Sequence, residues 1–497
     1  MNPRSTGRWW RNRVYLGIDI GTSAVKAAIL NEDGAVLDQS SGALALSRPR
    51  DLWSEQAPSD WWSATNQAVA GLRIDLRHQV KGIGLSGQMH GATLLDSADH
   101  PLRPAILWND GRSFAECAEL ERNEPNSREI TGNLAMPGFT APKLLWIRKH
   151  EPALWDKIAT VLLPKDYVRL RMTGERATDL SDASGTLWVD VRNRVWSPEM
   201  LAASGLDITH MPRLCEGPEV TGSLRPEIAE AWGMGTVPVV AGAGDNAGGA
   251  TGVGVIADGD ALLSLGTSGV IFVANDSFRP NPAQAVHAFC HCLPGRWHQM
   301  SVMLNAAICI DWAARLTGHA DAATFLAGIE KTPPKDSGVI FLPYLGGERT
   351  PHNDPRAKGV FFGMTHDTDS NALAQAVLEG VAFAFADGLD ALMAAGSKVD
   401  SLTVVGGGSH SPLWGRILAS TLNRPLIYRK NADVGPAQGA ARLAQIAVTG
   451  GTADSLCVPP EIVRVAEPDD RLAQGLAAKR PIFKALYQRL KDIVPET

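Results

Sequence analysis

The sequence predicts an α/β protein of two domains. At 497 residues the chain exceeds the roughly 250 residues beyond which a single hydrophobic core usually divides. The segments 17–25 and 262–273 share a Gly-Thr-Ser turn between apolar runs, and a repeat at this spacing indicates a duplicated unit. The segment 239–254 passes from an apolar run through glycines to Asp245, where open α/β sheets present ligand-binding groups.

The composition is that of an ordinary globular protein without a charged tract. The 47 basic and 53 acidic residues give a net charge of −6, and no basic block is long enough to indicate nucleic-acid binding. The basic start of the chain lacks the apolar core of a signal peptide, and no later apolar run approaches the length of a membrane span. Six scattered cysteines in so long a chain favour reduced thiols. We therefore expect a cytoplasmic protein that binds neither nucleic acid nor a membrane.

The first elements are expected to be antiparallel strands. Residues 1–13 are expected to form a disordered N-terminal extension. The apolar runs 14–19 and 25–30 flank the first Gly-Thr-Ser turn, and the Asp-Gly pair at 33–34 is typical of a hairpin. The first domain therefore begins with a hairpin and not with the strand and helix of a dinucleotide-binding fold.

The repeated turn predicts a phosphate-binding device with two unequal sides. In the first copy Asp19 precedes the turn and Thr22 lies in it, whereas the second copy has Ser264 in place of the aspartate, followed by Gly266 and Thr267. The backbone amides of such turns can face phosphate oxygens, so Thr22, Gly266 and Thr267 are predicted cofactor contacts. Because only the first copy carries a carboxylate, Asp19 is predicted to hold Mg²⁺ through water. The alternative is a turn aspartate that hydrogen-bonds its own backbone.

The segment between the two copies predicts a helix, a strand and a long insertion. The helix is predicted at 58–70, and the strand at 81–86 leads directly to Met89 and His90. Residues 100–232 are rich in Trp, Pro and charged side chains and have the character of an insertion. Since Met is most often core filler and a lone His is more often structural, Met89 and His90 alone would not indicate a site.

In the second half a glycine cluster follows a strand. Helices are predicted at 304–317, 371–395, 435–449 and 471–494, and strands at 340–343 and 402–405. The last strand runs into successive glycines, against which a flat ring can lie closely. Gly407, Gly408 and Ser411 are therefore predicted to contact adenosine, although a glycine cluster alone is also typical of a plain loop.

Several motifs together resemble those of the FGGY carbohydrate kinases, a family of the actin, hexokinase and Hsp70 type. They are GIDIGT at 17–22, KLLW at 143–146, GTSG at 266–269 and GVFFG at 359–363. The resemblance covers nearly everything after residue 13. It implies ATP-dependent phosphorylation of a sugar in a cleft between two ribonuclease-H-like domains, a sugar-binding domain at 14–257 and a nucleotide-binding domain at 258–497.

Further segments are similar to those of the bacterial family members that phosphorylate D-xylulose. They are QMHG at 88–91, RPAILWNDGR at 103–112 and GGERTPH at 346–352. This similarity implies D-xylulose and MgATP as substrates and D-xylulose 5-phosphate as product. It also implies that Met89 and His90 contact the sugar, at the position where glycerol kinases have an Arg-Glu pair.

The family's two essential aspartates correspond to Asp245 and Asp19. Asp245 would be the general base that accepts the proton of the C5 hydroxyl, and Asp19 would lie beside the phosphates and the metal. Asn246 can donate to, or accept from, a sugar hydroxyl. The alternative for Asp245 is a helix N-cap, which is compatible with a role as base.

Alternative functions remain open on the sequence alone. One is a family member acting on ribulose, gluconate, fuculose or glycerol, and a more distant one is a non-enzymatic actin-like ATPase. The spacing of a His and Cys cluster fits no common zinc pattern, so a zinc site is not expected at His287, Cys290, His291 and Cys292. The sequence does not fix the oligomeric state and is compatible with a homodimer.

Overall fold

The computed structural model describes residues 13–331, 338–430 and 435–493, which form a mixed α/β structure. The predicted N-terminal extension lies outside these residues except for Arg13. Within the described ranges no helix combines the length and the apolar character needed to cross a lipid bilayer.

The first half of the chain contains many short strands and helices, numbered here in chain order. Its strands are β1 (Val14–Ile20), β2 (Ala24–Asn31), β3 (Val36–Ala43), β4 (Glu55–Gln56), β5 (Val80–Gly87), β6 (Thr93–Leu95), β7 (Ala105–Ile106), β8 (Thr160–Leu162), β9 (Ala177–Asp179), β10 (Val189–Asp190), β11 (Val195–Trp196), β12 (Arg213–Cys215), β13 (Val220–Ser223), β14 (Pro238–Val240) and β15 (Ala243–Gly244). Its helices are α1 (Pro58–Ala70), α2 (Ile74–Arg77), α3 (Phe114–Asn123), α4 (Ser127–Thr131), α5 (Thr140–His150), α6 (Pro152–Trp155), α7 (Pro164–Thr173), α8 (Leu180–Ser184), α9 (Pro198–Ala203), α10 (Pro226–Trp232) and α11 (Asp245–Gly252).

The first half is organised by a seven-stranded sheet in the order β13-β14-β5-β1-β2-β3, with β15 also paired to β5. The central strand β1 pairs antiparallel with β2 and parallel with β5, and all seven of its residues are buried. A continuous apolar run is typical of a strand covered on both faces. The opening hairpin that the sequence predicts is thereby confirmed. The region 100–232 supplies helices α3 to α10, short two-stranded sheets and the edge strand β13.

The second half contains fewer and longer elements. Its strands are β16 (Ala261–Leu265), β17 (Gly269–Asn275), β18 (His287–Cys290), β19 (Trp297–Met303), β20 (Ile340–Leu342), β21 (Val360–Phe362), β22 (Leu402–Val405), β23 (Leu426–Arg429) and β24 (Ile462–Ala466). Its helices are α12 (Ala307–Leu316), α13 (Ala322–Lys331), α14 (Ser370–Ala394), α15 (Pro412–Leu422), α16 (Pro436–Thr449), α17 (Ala453–Leu456) and α18 (Asp470–Leu490).

The second sheet repeats the central arrangement of the first. Its order is β18-β19-β17-β16-β22-β23-β24. Strand β16 pairs antiparallel with β17 and parallel with β22, as β1 does with β2 and β5. Ser264 occupies the position in β16 that Asp19 occupies in β1. Asp19 pairs with a residue of β2 and with one near the end of β5. Ser264 pairs in the same way with a residue of β17 and with the last residue of β22. The duplication that the repeated turn predicts is therefore present in the strand pairing.

The sequence predicts the bounds of one helix correctly and places the start of another too early. The helix predicted at 58–70 has the same bounds in the structure. The helix predicted at 304–317 begins only at Ala307. The reason is that the Ala306 amide donates to the Thr267 carbonyl, so this part of the chain bonds the repeated turn instead of an earlier helical turn.

Helix α16, from the second half, lies directly on the sheet of the first half. A Cβ atom on Gly84 would lie 1.8 Å from the Ala440 carbonyl oxygen, and one on Gly17 would lie 1.8 Å from the Ala437 carbonyl oxygen. Only glycine allows a helix backbone to approach a strand so closely. The two halves are therefore joined by a backbone contact as well as by a shared hydrophobic cluster.

We expect the substitution Gly84→Ala to destabilise the protein by at least about 2 kcal/mol, because the added methyl group must displace α16 from the sheet. The matched control is Gly475→Ala in α18, where a Cβ meets nothing within 4 Å, and where alanine stabilises a helix by up to about 1 kcal/mol. Urea unfolding of both variants measures the difference. A Gly84→Ala variant as stable as Gly475→Ala would contradict the close contact.

Candidate active site

Two cavities meet at the turn between β16 and β17. The smaller, of about 250 Å³, is lined from both halves of the chain, by Met89, His90, Trp108, Met136, Phe139, Asp245 and Asn246 from the first and by Ser264, Ser268, His287 and Arg349 from the second. The larger, of about 750 Å³, is lined by Gly266, Thr267, Ala307, Asp311, Gly407, Gly408, Ser411 and Trp414. The turn contributes residues to both cavities, so a ligand in one lies next to a ligand in the other.

Asp245 is the first residue of α11 and lines the smaller cavity. One of its carboxylate oxygens, Oδ1, accepts hydrogen bonds from the amide of Asn246 at 2.7 Å and from the Asn246 side chain at 2.8 Å. Burial raises the pKa of the Asp245 carboxyl to about 6, although these hydrogen bonds oppose the shift. The alternative of a helix N-cap is wrong, because Gly244 occupies the cap position.

Asp19 lies beside Asp245, where the parallel strands of the first sheet have their carboxyl ends. Strand β5 separates them, since Asp19 pairs with Ser86 while Gly244 pairs with Gly87. Burial and, to a lesser extent, the charge of Asp245 raise the pKa of Asp19 to about 7, and Lys26 opposes both. The two carboxyl groups are therefore close enough to repel each other when both are ionised.

The surroundings of Asp19 fit a hard cation. Its side chain is 7 % exposed, and Oδ1 has no hydrogen-bond partner among the described residues. A buried oxygen without a partner beside a second carboxylate offers the ligand chemistry that Mg²⁺ prefers. Across the described residues, no group of three or more His, Cys, Asp or Glu side chains could hold a metal ion. Mg²⁺ at Asp19 would therefore take most of its ligands from phosphate oxygens and water.

His90 is held in one tautomer by its neighbours. Its Nδ1 lies 2.7 Å from the Gly185 carbonyl oxygen, so Nδ1 carries the proton and Nε2 is left as an acceptor. Burial lowers the pKa of the imidazole to about 3, and the charge of Lys143 contributes, so the ring is neutral at physiological pH. The Lys143 ammonium also donates to the His90 carbonyl oxygen at 2.8 Å. Met89 packs beneath Gly244, the residue before Asp245.

Arg349 brings a positive charge into the smaller cavity from the second half of the chain. No hydrogen bond or ion pair ties its guanidinium group to the residues that the structure describes. The neighbouring Glu348 does not balance its charge, because burial raises the pKa of Glu348 to about 8. One Glu348 oxygen accepts from the amides of Leu304 and Arg349, both at 2.8 Å. Arg349 is therefore free to bind a ligand.

Comparison with known proteins identifies the family. The model of the FGGY family of carbohydrate kinases, N-terminal domain, matches residues 14–252, and that of its C-terminal domain matches residues 261–448. The chain belongs to the FGGY family of carbohydrate kinases. It is an ATP-dependent carbohydrate kinase with the fold of the actin and hexokinase type ATPases.

Similar FGGY kinases span the chain almost completely. It is 54% identical to a xylulose kinase of Escherichia coli over 97% of this chain and 100% of that one. It is 37% identical to a xylulose kinase of Bacillus subtilis, over 97% and 98% of the two chains. The crystal structure of a xyloylose kinase from Brucella ovis, 47% identical, superposes with a TM-score of 0.94 over 97% of this chain and 100% of that one.

Most of the site residues that the sequence predicts for an FGGY kinase come together in the structure. Those expected to contact the sugar line the smaller cavity, and those expected to contact nucleotide line the larger one. Asp19 and Thr22 are exceptions, since neither of them lines either cavity. The Thr22 hydroxyl donates to the Gln88 side chain at 2.9 Å and accepts from the Trp108 indole at 3.1 Å. The Thr22 side chain therefore supports Trp108, which does line the smaller cavity.

Arg349 lines the smaller cavity but is not among the site residues that the sequence predicts. It belongs to the segment 346–352, which carried part of the family resemblance, and an arginine between Glu348 and Thr350 was the available signal. This arginine did not by itself indicate a ligand-binding residue, because a glutamate followed directly by an arginine is also typical of an exposed ion pair. Here Arg349 is half-buried and lines the smaller cavity, whereas Glu348 is buried and its carboxyl group accepts from backbone amides.

Proposed function

We propose that this FGGY kinase transfers the γ-phosphoryl group of ATP to the C5 hydroxyl of D-xylulose, giving D-xylulose 5-phosphate. The observation that carries the proposal is Asp245 in a small cavity that shares a turn with a larger one. At about 250 Å³ the small cavity is below the usual size of a drug-sized ligand site, which favours a small sugar. The xylulose kinases of E. coli and B. subtilis, at 54% and 37% identity, support this substrate.

In this proposal Asp245 acts as the general base. It accepts the proton of the C5 hydroxyl as the oxygen attacks phosphorus, and its raised pKa of about 6 keeps it basic enough to accept a proton yet ionised at neutral pH. The hydrogen bonds from Asn246 occupy Oδ1, which leaves the other oxygen, Oδ2, to receive the proton. Asn246 also lines the cavity and is proposed to bind a sugar hydroxyl.

The remaining sugar contacts are proposed from donor and acceptor chemistry. Neutral His90 has an acceptor at Nε2 and binds a sugar hydroxyl that donates, while Met89 packs against the carbon chain. The charge of Arg349 lowers the pKa of both His90 and His287, which indicates that Arg349 lies at their end of the cavity. Because arginine only donates, we propose that Arg349 binds the C2 carbonyl oxygen of the ketose, which only accepts.

ATP is proposed to occupy the larger cavity. Gly266 and Thr267 are proposed to contact its phosphates, and Gly407, Gly408 and Ser411 its adenosine. The Ser411 hydroxyl already accepts from the Trp414 amide as the cap of α15, so its contact with adenosine would be made through backbone atoms. Asp19 would hold Mg²⁺ through water, and a bound Mg²⁺ supplies charge neutralisation for the transferred phosphoryl group. Thr22 would contact phosphate through its backbone amide.

We also propose the domain limits and the location. The sugar-binding domain is taken as 14–257 and the nucleotide-binding domain as 258–497, which is supported by the family matches at 14–252 and 261–448. A cytoplasmic location is supported by six cysteines that are buried and unpaired. An FGGY kinase for another sugar is the alternative against which the substrate is tested.

We expect Asp245→Asn to lower kcat with D-xylulose by about 10²- to 10⁴-fold, because the amide cannot accept the proton. Its affinity for ATP should change less than about twofold, since Asp245 lines the other cavity. A coupled ADP-release assay measures turnover across D-xylulose, L-xylulose, D-ribulose, D-gluconate and glycerol. The control is Asp75→Asn, an exposed aspartate paired with Arg73. If the Asp245→Asn variant keeps most of its turnover, Asp245 is not the base. If D-xylulose does not raise ADP release by the native enzyme, the proposed substrate is wrong.

We expect Arg349→Met to raise the KM for D-xylulose by about 10- to 100-fold, the usual loss for a hydrogen bond to a charged group. The KM for ATP should stay within about twofold. Inhibition by xylitol, which has no carbonyl, should weaken much less than binding of D-xylulose. Arg213→Met, which removes an exposed partner of Glu219, is the control. A change confined to kcat or to the KM for ATP would contradict carbonyl binding.

A further inference from the structure

We propose that the short helix α8, together with a buried cluster of charges at its N-terminus, is a positioning unit that holds Asp245 and His90 at a fixed separation. The proposal rests on the function above, in which Asp245 acts as base and His90 binds the sugar. Neither α8 nor the cluster lines either of the two cavities. Their effect on the reaction would therefore be exerted through the backbone on which the two site residues stand.

The chain is irregular immediately before Asp245. Val239 pairs with Ile83, whereas Ala243 pairs with Ser86, so four steps along one chain match three steps along β5. Such a bulge bends the strand and re-aims the residues that follow it. Gly242, at the bulge, has a φ of +88°, and a Cβ there would lie 2.0 Å from the backbone of β5. The position of Asp245 therefore depends on what fixes this bulge.

Arg169 fixes the bulge from one side. Its side chain is completely buried, and its guanidinium donates to the carbonyl oxygen of Val240 at 2.6 Å and to that of Ala241. It also donates to the Thr221 hydroxyl at 2.9 Å. These bonds satisfy two consecutive carbonyl groups where the ladder between β14 and β5 is interrupted.

A cluster of buried charges surrounds this arginine. The Lys165 ammonium lies 2.7 Å from Asp166, 2.9 Å from Asp179 and 3.1 Å from Asp182, and all four side chains are fully buried. Asp166 also lies 3.5 Å from the Arg169 guanidinium. Burial raises the pKa of Asp182 well above its ordinary value, although the charge of Lys165 opposes this shift. Because such clusters add little net stability, we assign this one a geometric role.

Helix α8 connects the cluster to both site residues. Asp179 caps the helix and accepts from the Ser181 amide at 2.8 Å and from the Ser181 hydroxyl at 2.5 Å. The same hydroxyl accepts from the amide of Gly244 at 3.0 Å, one residue before Asp245. At the other end of the helix, the Gly185 carbonyl oxygen accepts from His90. A single turn of helix therefore sets the distance between the two points of attachment.

The test compares two serines on this helix. Ser181→Ala removes the hydroxyl that joins Asp179 to the Gly244 amide. Ser184→Ala is the matched control, because Ser184 is equally buried, donates to the Leu180 carbonyl and accepts from the Cys290 amide, and touches neither site residue. Both variants are compared with the native enzyme and with Asp245→Asn for kcat and both KM values, and their thermal midpoints are recorded.

We expect Ser181→Ala to lower kcat by about 10- to 100-fold with a change of less than about threefold in either KM, since a small displacement of a catalytic group acts mainly on the chemical step. Ser184→Ala should keep kcat within about twofold at a similar loss of thermal stability. If both variants lose kcat in proportion to their thermal midpoints, or if Ser181→Ala keeps native kcat, the positioning role is overturned.

Hydrogen exchange provides a second readout if either variant is poorly stable. The Gly244 amide should exchange faster in Ser181→Ala than in Ser184→Ala at matched global stability, because only the first variant removes its acceptor. Equal exchange in the two variants would contradict the proposal. Full activity of Asp245→Asn would instead overturn the function on which the proposal rests, so the two failures are distinguishable.

Discussion

Two neighbouring carboxyl groups beside one strand, Asp19 buried and Asp245 half-buried at the cavity, are the constraint on which this site depends. Asp19 and Asp245 flank the end of β5, and removal from water raises the pKa of both, to about 7 and about 6. A protein gains nothing in stability from such a pair, because burial and mutual repulsion both oppose ionisation. The arrangement is useful only when a cation and a proton donor come to it, and MgATP and a sugar hydroxyl provide them in the proposed reaction.

The duplicated sheets explain how two substrates reach this pair. Strands β1 and β16 occupy equivalent places, but Ser264 stands where the first sheet has Asp19. The first half therefore supplies the carboxyl groups, and the second half supplies a neutral turn shared by both cavities. Close contact of α16 with the first sheet, through Gly17 and Gly84, joins the halves away from the cavities. Glycine at those positions is thus a requirement of the architecture and not of local flexibility.

Local features of the fold could be predicted from the sequence, whereas contacts between distant segments could not. The first hairpin and the helix at 58–70 follow from turn chemistry and periodicity over a few residues. The packing of α16 on the sheet that contains Gly84 joins residues more than three hundred positions apart, and no periodicity reports such a contact. Likewise Lys165 looks like an ordinary surface lysine in the sequence, although it is completely buried among three carboxylates.

The candidate site shows the same division. Asp245 and Asp19 could be proposed from their positions after strands and from family resemblance, and the structure brings them together. Arg349 could not, because its importance lies in the absence of a partner for its guanidinium group within the described chain, which only the fold reveals. Thr22 was predicted from its turn, but its hydroxyl is engaged by Gln88 and Trp108.

The pH dependence of kcat/KM for D-xylulose tests the central claim most directly, because it reports the ionisation of groups in the enzyme before the sugar binds. A base must be unprotonated, and a carboxyl with a pKa of about 6 becomes protonated as the pH falls below that value. At saturating MgATP, where the bound cation would keep Asp19 ionised, we predict a constant kcat/KM above about pH 7 and a tenfold loss for each pH unit well below 6. A value that stays constant from pH 8 down to pH 5 would contradict the account, because the proton acceptor would then have the pKa of an ordinary exposed carboxylate.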